Sequence, residues 1–269
     1  SVNKQMNIPI YQIDAFTNHL FGGNPAAVCP LDHWIDDDLL QNIAMENNLA
    51  ETAFFVPLPS GNFHLRWFTP EIEMDLCGHA TLASAHVIFE ELKFKNEEIV
   101  FETKSGLLNV KKKGTLLELD FPSRPPSVSN LPAIISKGLN IQPREVWKAR
   151  DYLLVYDTQD DITRIIPNLS FLNQINLDPG GIIVTAPGQS KDVDFVSRFF
   201  TPRAAVFEDP VTGSAHCTLI PFWADRLKKS NMRALQLSKR GGKLFCELNN
   251  QRVKIRGQAV KYLNGTILV

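Results

Sequence analysis

The sequence predicts an α/β (α+β) protein made of two pseudo-symmetric domains, each with a curved, mostly antiparallel or mixed sheet wrapped around a central apolar helix. Three observations lead to this fold class. Many short strand patterns alternate irregularly with a few helical ones. Two helical segments are apolar on nearly every side, which is typical of buried helices and not of surface helices. The same aromatic-Thr-Pro motif precedes both of those segments.

In the first half, alternating apolar residues predict strands, and apolar residues at helical spacing predict helices. The elements predicted there are, in order, a strand over 8–16, a helix from its cap Asp36 to about Asn48, strands over 52–58 and 63–68, a helix from Gly78 to about Leu92, and two or three strands within 99–122.

A proline-rich stretch, "FPSRPPSVSNLP" (121–132), is the best candidate for a linker between the halves. We therefore expect an N-terminal half over 1–122 and a C-terminal half over 123–260, with 261–269 as a candidate for return to the first half. The elements predicted for the second half are, in order, strands over 145–150 and 152–158, helical residues around 159–174, strands over 180–186 and 193–200, a helix from Gly213 that Pro221 should kink or interrupt, and closing strands within 234–263.

The two halves share a repeated motif. "RWFTP" (66–70) and "RFFTP" (198–202) are followed, at 8 and 11 residues, by Gly-(His/Ser)-Ala at the start of an apolar helix. Aligning the two copies pairs Cys77 with Thr212, Gly78 with Gly213, and His79 with Ser214. The repeat indicates an internal duplication, with two domains that face each other across a cleft.

The N-termini of these two helices are expected to form an anion site. The first turn of a helix presents N–H groups without partners and the positive end of the helix dipole. A glycine at the start lets a ligand approach the backbone closely. If both helices start at the cleft, a small carboxylate should bind to their first amides, which are those of Gly78, His79, Gly213 and Ser214.

Composition excludes several classes of function. The 28 basic and 29 acidic residues give a formal net charge of −1, so nothing indicates nucleic acid or an anionic membrane as a partner. No apolar stretch reaches the roughly 18 residues of a membrane-spanning helix, and the N-terminus lacks the apolar core of a signal peptide. Four scattered cysteines without C-x-x-C spacing favour reduced thiols. Together these features predict a cytoplasmic protein without a zinc module.

Five short motifs, in this order along the chain, carry a resemblance to a known family. They are "DAFTNHLFGGNPAAV" (14–28), "NLAETAFF" (48–55), "RWFTP" (66–70), "LCGHATLASA" (76–85) and "EDPVTGSAH" (208–216). Through them the chain resembles the PhzF-like family of phenazine biosynthesis and, more distantly, diaminopimelate epimerase and proline racemase. The resemblance implies a diaminopimelate-epimerase-like fold of two pseudo-symmetric domains, no metal, no organic cofactor, and a homodimer as the common assembly.

The resemblance also implies roles for single residues. The family's acid/base carboxylate falls on Glu51, its histidine on His79, and its aspartate and serine on Asp209 and Ser214. Taken alone, Glu51 would be interpreted as a solvated glutamate. With the family match, it becomes the group that moves a proton between two carbons on one face of a substrate. Asn24 matches a glycine-rich turn, where it either directs its amide at the cleft or only stabilises the turn.

The cysteines depart from the epimerase pattern, in which each half supplies one thiol. Cys77 precedes Gly78, but its counterpart in the second half is Thr212, and Cys217 lies about one turn further into the helix. A thiol at a helix N-terminus has a lowered pKa and can act in catalysis. Because Cys77 lacks a partner thiol, the interpretation as a small buried side chain is favoured.

We therefore expect an isomerase that moves a proton within a small carboxylate substrate by single-carboxylate acid/base catalysis. The residues expected to act in catalysis are Glu51, His79 and Asp209, and those expected to bind substrate are Asn24, Gly78, Gly213 and Ser214. Two alternatives stay open. One is a two-base epimerase or racemase, and the other is a non-catalytic protein of the same fold that binds a small molecule or a protein partner.

Overall fold

The structure, a computed structural model, describes residues 5–269. The first four residues of the predicted N-terminal half lie outside the described part. The chain divides into two compact units: the first ends at Asp120 and also includes Arg256–Val269, and the second is Phe121–Ile255. Strands and a few helices make up both units, so the predicted α/β class is confirmed.

Eighteen strands and six α-helices lie within the described residues. The strands are β1 (Asn7–Ala15), β2 (Asn24–Pro30), β3 (Glu51–Pro57), β4 (Phe63–Phe68), β5 (Glu73–Met74), β6 (Glu98–Thr103), β7 (Gly106–Lys113), β8 (Leu116–Pro122), β9 (Ser127–Val128), β10 (Glu145–Lys148), β11 (Tyr152–Val155), β12 (Ile182–Pro187), β13 (Phe195–Phe200), β14 (Glu208–Asp209), β15 (Asn231–Gln236), β16 (Gly242–Asn249), β17 (Arg252–Gly257) and β18 (Ala259–Leu268). The helices are α1 (Asp37–Asn47), α2 (Gly78–His86, continued by a π-helical turn, Val87–Glu91), α3 (Ala133–Lys137), α4 (Gln159–Arg164), α5 (Leu169–Leu172) and α6 (Gly213–Leu227). None of these described helices has both the length and the apolar character needed to cross a membrane.

The first unit contains a mixed sheet. In it, β1 pairs antiparallel with both β2 and β18. Strand β2 runs parallel to β3, β3 antiparallel to β4, and β4 parallel to β6, which continues through β7 to β8 in antiparallel pairs. The register places Ala26 of β2 opposite Glu51 of β3. The starts of these two parallel strands therefore lie at the same edge of the sheet.

The second unit shows the same order of pairings. Strand β10 pairs antiparallel with β9 and β11, and β11 runs parallel to β12. Strand β12 is antiparallel to β13, which runs parallel to β15, and β15 is antiparallel to β16. The repeated motif aligns Phe68 with Phe200, and these residues pair with Thr52 of β3 and with Ile182 of β12. The counterpart of Glu51 is therefore Gly181, which has no carboxylate.

Each copy of the repeated motif contributes an arginine that holds the following turn. Arg66 donates two hydrogen bonds to the carboxylate of Glu73, with N–O distances of 2.7 and 2.9 Å. Arg198 does the same to Glu208, at 2.7 and 3.0 Å. A bidentate pair of this kind fixes the geometry of both side chains. The chain is thereby held between the motif and the strand that leads to the apolar helix.

Both predicted apolar helices are buried. All seven residues from His79 to Ala85 of α2 are buried, and ten of the 15 residues of α6 are buried. A helix that is apolar on every side can only be stable when other elements cover all of its faces. The hydrophobic pattern therefore predicted the environment of these two helices correctly.

Pro221 was predicted to kink or interrupt this helix, and the interruption does not occur, because α6 runs without a break from Gly213 to Leu227. Proline has no N–H, so the carbonyl four residues earlier, that of Cys217, loses its partner within the helix. The backbone N–H of Arg124, in the proline-rich segment, donates to this carbonyl at 2.8 Å. The freed group is thus paired, and the helix tolerates the proline.

The cap predicted for the first helix was only partly right. Asp36 does occupy the N-cap position of α1, but its side chain makes no capping hydrogen bond to the residues that the structure describes. The first turn of α1 instead carries Asp37 and Asp38, whose negative charges interact favourably with the positive end of the helix dipole. The helix ends at Asn48, which adopts the left-handed conformation with φ of 53°.

Leu82→Ala should destabilise the first unit by about 2–5 kcal/mol, because Leu82 lies in α2 with its side chain fully buried. Urea unfolding followed by circular dichroism measures this effect. Leu107→Ala is the matched control, since Leu107 is 67% exposed on β7 and should change the stability by no more than about 0.5 kcal/mol. Equal losses for the two variants would contradict the burial of α2.

Candidate active site

The first unit brings Glu51, Cys77 and His79 together. Glu51 is the first residue of β3, Cys77 precedes the first residue of α2, and His79 lies in the first turn of that helix. Nε2 of His79 lies 3.1 Å from Oε2 of Glu51, and Nδ1 of the same ring lies 3.4 Å from Sγ of Cys77. His79 is 5% exposed, and the side chain of Glu51 is 14% exposed. A carboxylate, an imidazole and a thiol thus share one small, shielded region.

The backbone at the start of α2 explains how these groups meet. Cys77 is extended, with φ of −147° and ψ of 113°, and the helix begins at Gly78. The carbonyl of Cys77 accepts hydrogen bonds from the hydroxyl of Thr81 at 2.6 Å and from its N–H at 3.2 Å. The side chain of Cys77 makes no capping hydrogen bond in the described part of the chain. The N–H groups of the first turn are therefore left uncapped by that side chain and can bind an anion.

Burial and charge act together on the two titrating groups beside Glu51. Burial, and then the charge of Glu51, raise the pKa of the Cys77 thiol. Burial on its own lowers the pKa of His79, but its contacts with Cys77 and Glu51 outweigh burial and raise that pKa well above its usual range. Burial thus favours the neutral form of the thiol, while Cys77 and Glu51 both favour the protonated form of His79.

The contact between Glu51 and His79 is close but not aligned. At 3.1 Å the two atoms are at ion-pair distance, yet neither Oε2 of Glu51 nor Nε2 of His79 completes a hydrogen bond to any residue that the structure describes. Hydrogen bonds of catalytic groups are often poorly aligned without substrate and tighten in the complex. Both atoms are buried and polar, so a substrate that forms hydrogen bonds with them would remove the free-energy cost of burying them unpaired.

The same three residues could offer ligands to a metal ion, since one donor atom from each lies within 4.8 Å of the others. However, the thiol lies at Nδ1 of His79 and the carboxylate at Nε2. One ion can bind only one nitrogen of the ring. The side chain that lies beside the other nitrogen would then stay outside the coordination sphere. The arrangement is therefore better suited to proton transfer at Glu51 than to metal chelation.

Asn24 lies at the same edge of the sheet as Glu51. It is the first residue of β2, two positions before the residue that pairs with Glu51, and it is fully buried. Gly23, which precedes it, has φ of 63°, and a Cβ at this position would lie 2.1 Å from the carbonyl oxygen of Ala15. Only glycine fits this turn. Both roles considered for Asn24, substrate contact and turn stabilisation, remain predictions.

The second unit holds Asp209 beside the start of α6. The hydroxyl of Thr212 donates to Oδ2 of Asp209 at 2.6 Å. Gln236 binds both neighbours: its Oε1 accepts the N–H of Thr212 at 2.8 Å, and its Nε2 donates to the carbonyl of Asp209 at 2.9 Å. Gly213 begins the helix, and Ser214 lies in its first turn. Asp209 is thus held against the N-cap residue of the helix that begins with Gly213 and Ser214.

Gln236 is the member of this group that the sequence analysis missed. It is only 1% exposed in β15, where its neighbours in the chain are Leu235 and Leu237. A glutamine between apolar residues of a predicted strand could have indicated a structural role, because a buried amide needs hydrogen-bonding partners. Those partners lie 24 and 27 residues earlier in the chain, and the sequence alone does not identify them.

His216 supports the start of α6 from inside. It is fully buried, and its Nδ1 donates to the carbonyl of Thr212, with an N–O distance of 2.7 Å. Burial lowers the pKa of His216 to about 4, so the ring is neutral. Thr81 makes the corresponding bond to Cys77 in α2. In both helices, therefore, the fourth residue after the N-cap satisfies the N-cap carbonyl.

Comparisons with known proteins identify the family of the chain. The family described as "Phenazine biosynthesis-like protein" matches residues 13–265. An uncharacterized isomerase of Halalkalibacterium halodurans is 50% identical over 267 residues, which are 98% of this chain and 100% of that protein.

Solved structures extend the comparison to the fold. The crystal structure of a phenazine biosynthesis protein of the PhzF family from Enterococcus faecalis has a TM-score of 0.93 and 44% identity, covering 98% of this chain and 100% of that one. A probable proline racemase from Agrobacterium radiobacter K84 has a TM-score of 0.62 at 9% identity, covering 97% and 92%. The racemase shares the fold alone.

Proposed function

The chain belongs to the phenazine biosynthesis-like (PhzF) protein family, as its sequence motifs predicted, and from this premise we propose that it is an isomerase that moves a proton within a small carboxylate substrate. Glu51 is the acid/base group. The observation that carries this proposal is the position of its carboxylate, 3.1 Å from Nε2 of a buried histidine at the N-terminus of a buried helix.

The first half of the reaction is a deprotonation. Glu51 takes a proton from a carbon next to a carboxylate or a conjugated double bond, and the electron pair of the broken C–H bond moves into that unsaturated group. The N–H groups of Gly78 and His79, at the positive end of α2, stabilise the negative charge that develops. Nε2 of His79, 3.1 Å from Oε2 of Glu51, orients the carboxylate for this step.

The second half returns the same proton to a different carbon. The protonated Glu51 delivers it to the far end of the delocalised system, and the double bond forms at its new position. Atoms and charge balance, because the substrate gains at one carbon the proton that it lost at another. A single carboxylate suffices for this shift when both carbons present the same face to it.

Glu51 alone moves the carbon-bound proton, and Asp209 is proposed as a second acid/base group that acts at an oxygen of the substrate. Ser214 and Gly213 are proposed as groups that bind the substrate. The contacts that hold Asp209, from Thr212 and Gln236, support a fixed orientation of its carboxylate. The hydroxyl of Thr212 donates a hydrogen bond to Asp209, and Thr212 occupies the position at which a two-thiol epimerase needs a cysteine. This contact favours the isomerase over the epimerase alternative.

The test is a search for turnover with a panel of small carboxylates that carry an acidic C–H next to a double bond or carbonyl group, followed by proton NMR. The account expects at least one of them to be converted to an isomer of the same mass. Racemisation of a panel member at a single carbon would favour the two-base epimerase. Saturable binding without any conversion would favour a binding protein, and either result would contradict the proposal.

A further inference from the structure

The ring of His79 is flanked by a different side chain at each nitrogen. Sγ of Cys77 lies 3.4 Å from Nδ1, and Oε2 of Glu51 lies 3.1 Å from Nε2. Cys77 is 8% exposed and His79 is 5% exposed, so water has little access to either group. The orientation of the ring is therefore set by these two neighbours.

Hydrogen-bonding chemistry selects one orientation. An ionised carboxylate only accepts hydrogen bonds, so the nitrogen that faces Glu51 must carry a hydrogen. A thiol can donate or accept, so Cys77 can pair with Nδ1 in both states of the ring. In the neutral ring, S–H donates to Nδ1, and in the imidazolium, N–H donates to the sulfur. Rotating the ring by half a turn would place carbon atoms beside both neighbours and remove the contact of Nδ1 with the thiol, which would leave that buried nitrogen without its partner.

The second unit supplies an independent parallel. Thr212 occupies the N-cap position of α6, as Cys77 does in α2, and neither side chain makes a capping hydrogen bond to the described residues. The hydroxyl of Thr212 instead donates to Asp209 at 2.6 Å. In each unit, the N-cap side chain contacts a residue of the candidate site. An ordinary N-cap side chain would instead accept a hydrogen bond from the first turn of its own helix.

We propose that Cys77 is a positioning residue, whose contact with Nδ1 holds the His79 ring so that Nε2–H faces the carboxylate of Glu51. This inference rests on the proposed role of Glu51 and assigns no proton transfer to the thiol itself. It also explains a polar contact that a purely space-filling side chain would not make. Serine, which can donate and accept in the same way, should replace Cys77 better than alanine does.

The first test reads the ring directly and needs no substrate. Protein labelled with ¹⁵N in its six histidines is compared by NMR with Cys77→Ala and Cys77→Ser, and His79→Gln identifies the signals of His79. We expect a protonated Nε2 in the wild type, a changed Nδ1 signal in Cys77→Ala, and a pattern close to the wild type in Cys77→Ser. A wild-type ring protonated only at Nδ1, or identical His79 signals in wild type and Cys77→Ala, would overturn the proposal.

A matched control separates positioning from packing. Cys29 is a fully buried cysteine of β2 in the same unit. Cys29→Ala should lower the melting temperature about as much as Cys77→Ala but leave the His79 signals in place. If Cys29→Ala changes those signals as strongly as Cys77→Ala does, the effect is general packing and the proposal is wrong.

The second test uses turnover of the substrate found by the panel. Misplacing a catalytic group can cost up to about 100-fold in rate, so kcat should fall by as much as this in Cys77→Ala, with KM little changed. Cys77→Ser should recover most of that loss. If Glu51→Gln is inactive while Cys77→Ala is as active as wild type, the positioning role fails and the proposed function stands. If the His79 signals respond to Cys77→Ala as expected but Glu51→Gln stays active, the ring is positioned by Cys77 and the role of Glu51 fails.

Discussion

Glu51→Gln is expected to lower kcat by about 10²–10⁴-fold, the range in which a single acid/base group contributes to catalysis. Glutamine keeps the size of the side chain and a carbonyl oxygen beside His79, but it has no basic oxygen to take a proton. The fold should survive, because glutamine has nearly the same shape as glutamate and Oε2 of Glu51 completes no hydrogen bond to a described residue. Steady-state kinetics on the identified substrate measure the loss, and thermal melts confirm that the variant is folded.

The control for this variant is Glu46→Gln, five residues earlier on α1. Glu46 is exposed, and its replacement by glutamine should leave kcat and KM unchanged. If Glu51→Gln keeps its activity while Cys77→Ser loses it, the proton carrier is the thiol. The single-carboxylate mechanism would then be wrong, and the epimerase alternative would return.

Asp209→Asn is expected to lower kcat by about 10²-fold or more, at the lower end of the range for an acid/base group. Asparagine can still accept the hydrogen bond that Thr212 donates to Asp209 at 2.6 Å, so the start of α6 should be preserved. The change removes only the ability to hold or release a proton. The comparison with wild type therefore tests whether a residue of the second unit takes part in the same turnover.

Asp225→Asn is the matched control for the second unit. Asp225 lies on α6, and its side chain is 86% exposed in a surface pair with Lys228, which contributes little to stability. This variant should match the wild type in both activity and melting temperature. Wild-type activity in Asp209→Asn would remove Asp209 from the mechanism and leave the proposed role of Glu51 intact.

Features that depend on nearby residues could be predicted from the sequence. The all-round apolar character of α2 and α6 predicted their burial, since no other environment accepts a helix without a polar face. Their starts at Gly78 and Gly213 followed from the same pattern and are confirmed. The motifs also predicted the family, because five of them in one order are specific even though each is short.

Features that depend on distant partners could not be predicted. The continuity of α6 through Pro221 requires the N–H of Arg124, nearly a hundred positions earlier in the chain, and no local pattern indicates that contact. The contacts of Gln236 with Asp209 and Thr212 are equally remote. Cys77 and His79 are only two residues apart, yet the sequence analysis interpreted them independently and did not predict their contact. The extended backbone at Cys77 decides this contact, because it turns the thiol toward the ring of His79.

The central claim is that one carboxylate carries the proton from one carbon of the substrate to another, and an isotope experiment tests it most directly. The substrate is deuterated at the carbon that loses its hydrogen, the reaction is run in ordinary water, and the product is analysed by deuterium NMR. The account predicts that a measurable share of the deuterium appears at the new carbon of the isomer, on the face from which it was removed. Complete loss of the deuterium to water, with inversion at the original carbon and no isomer formed, would contradict it.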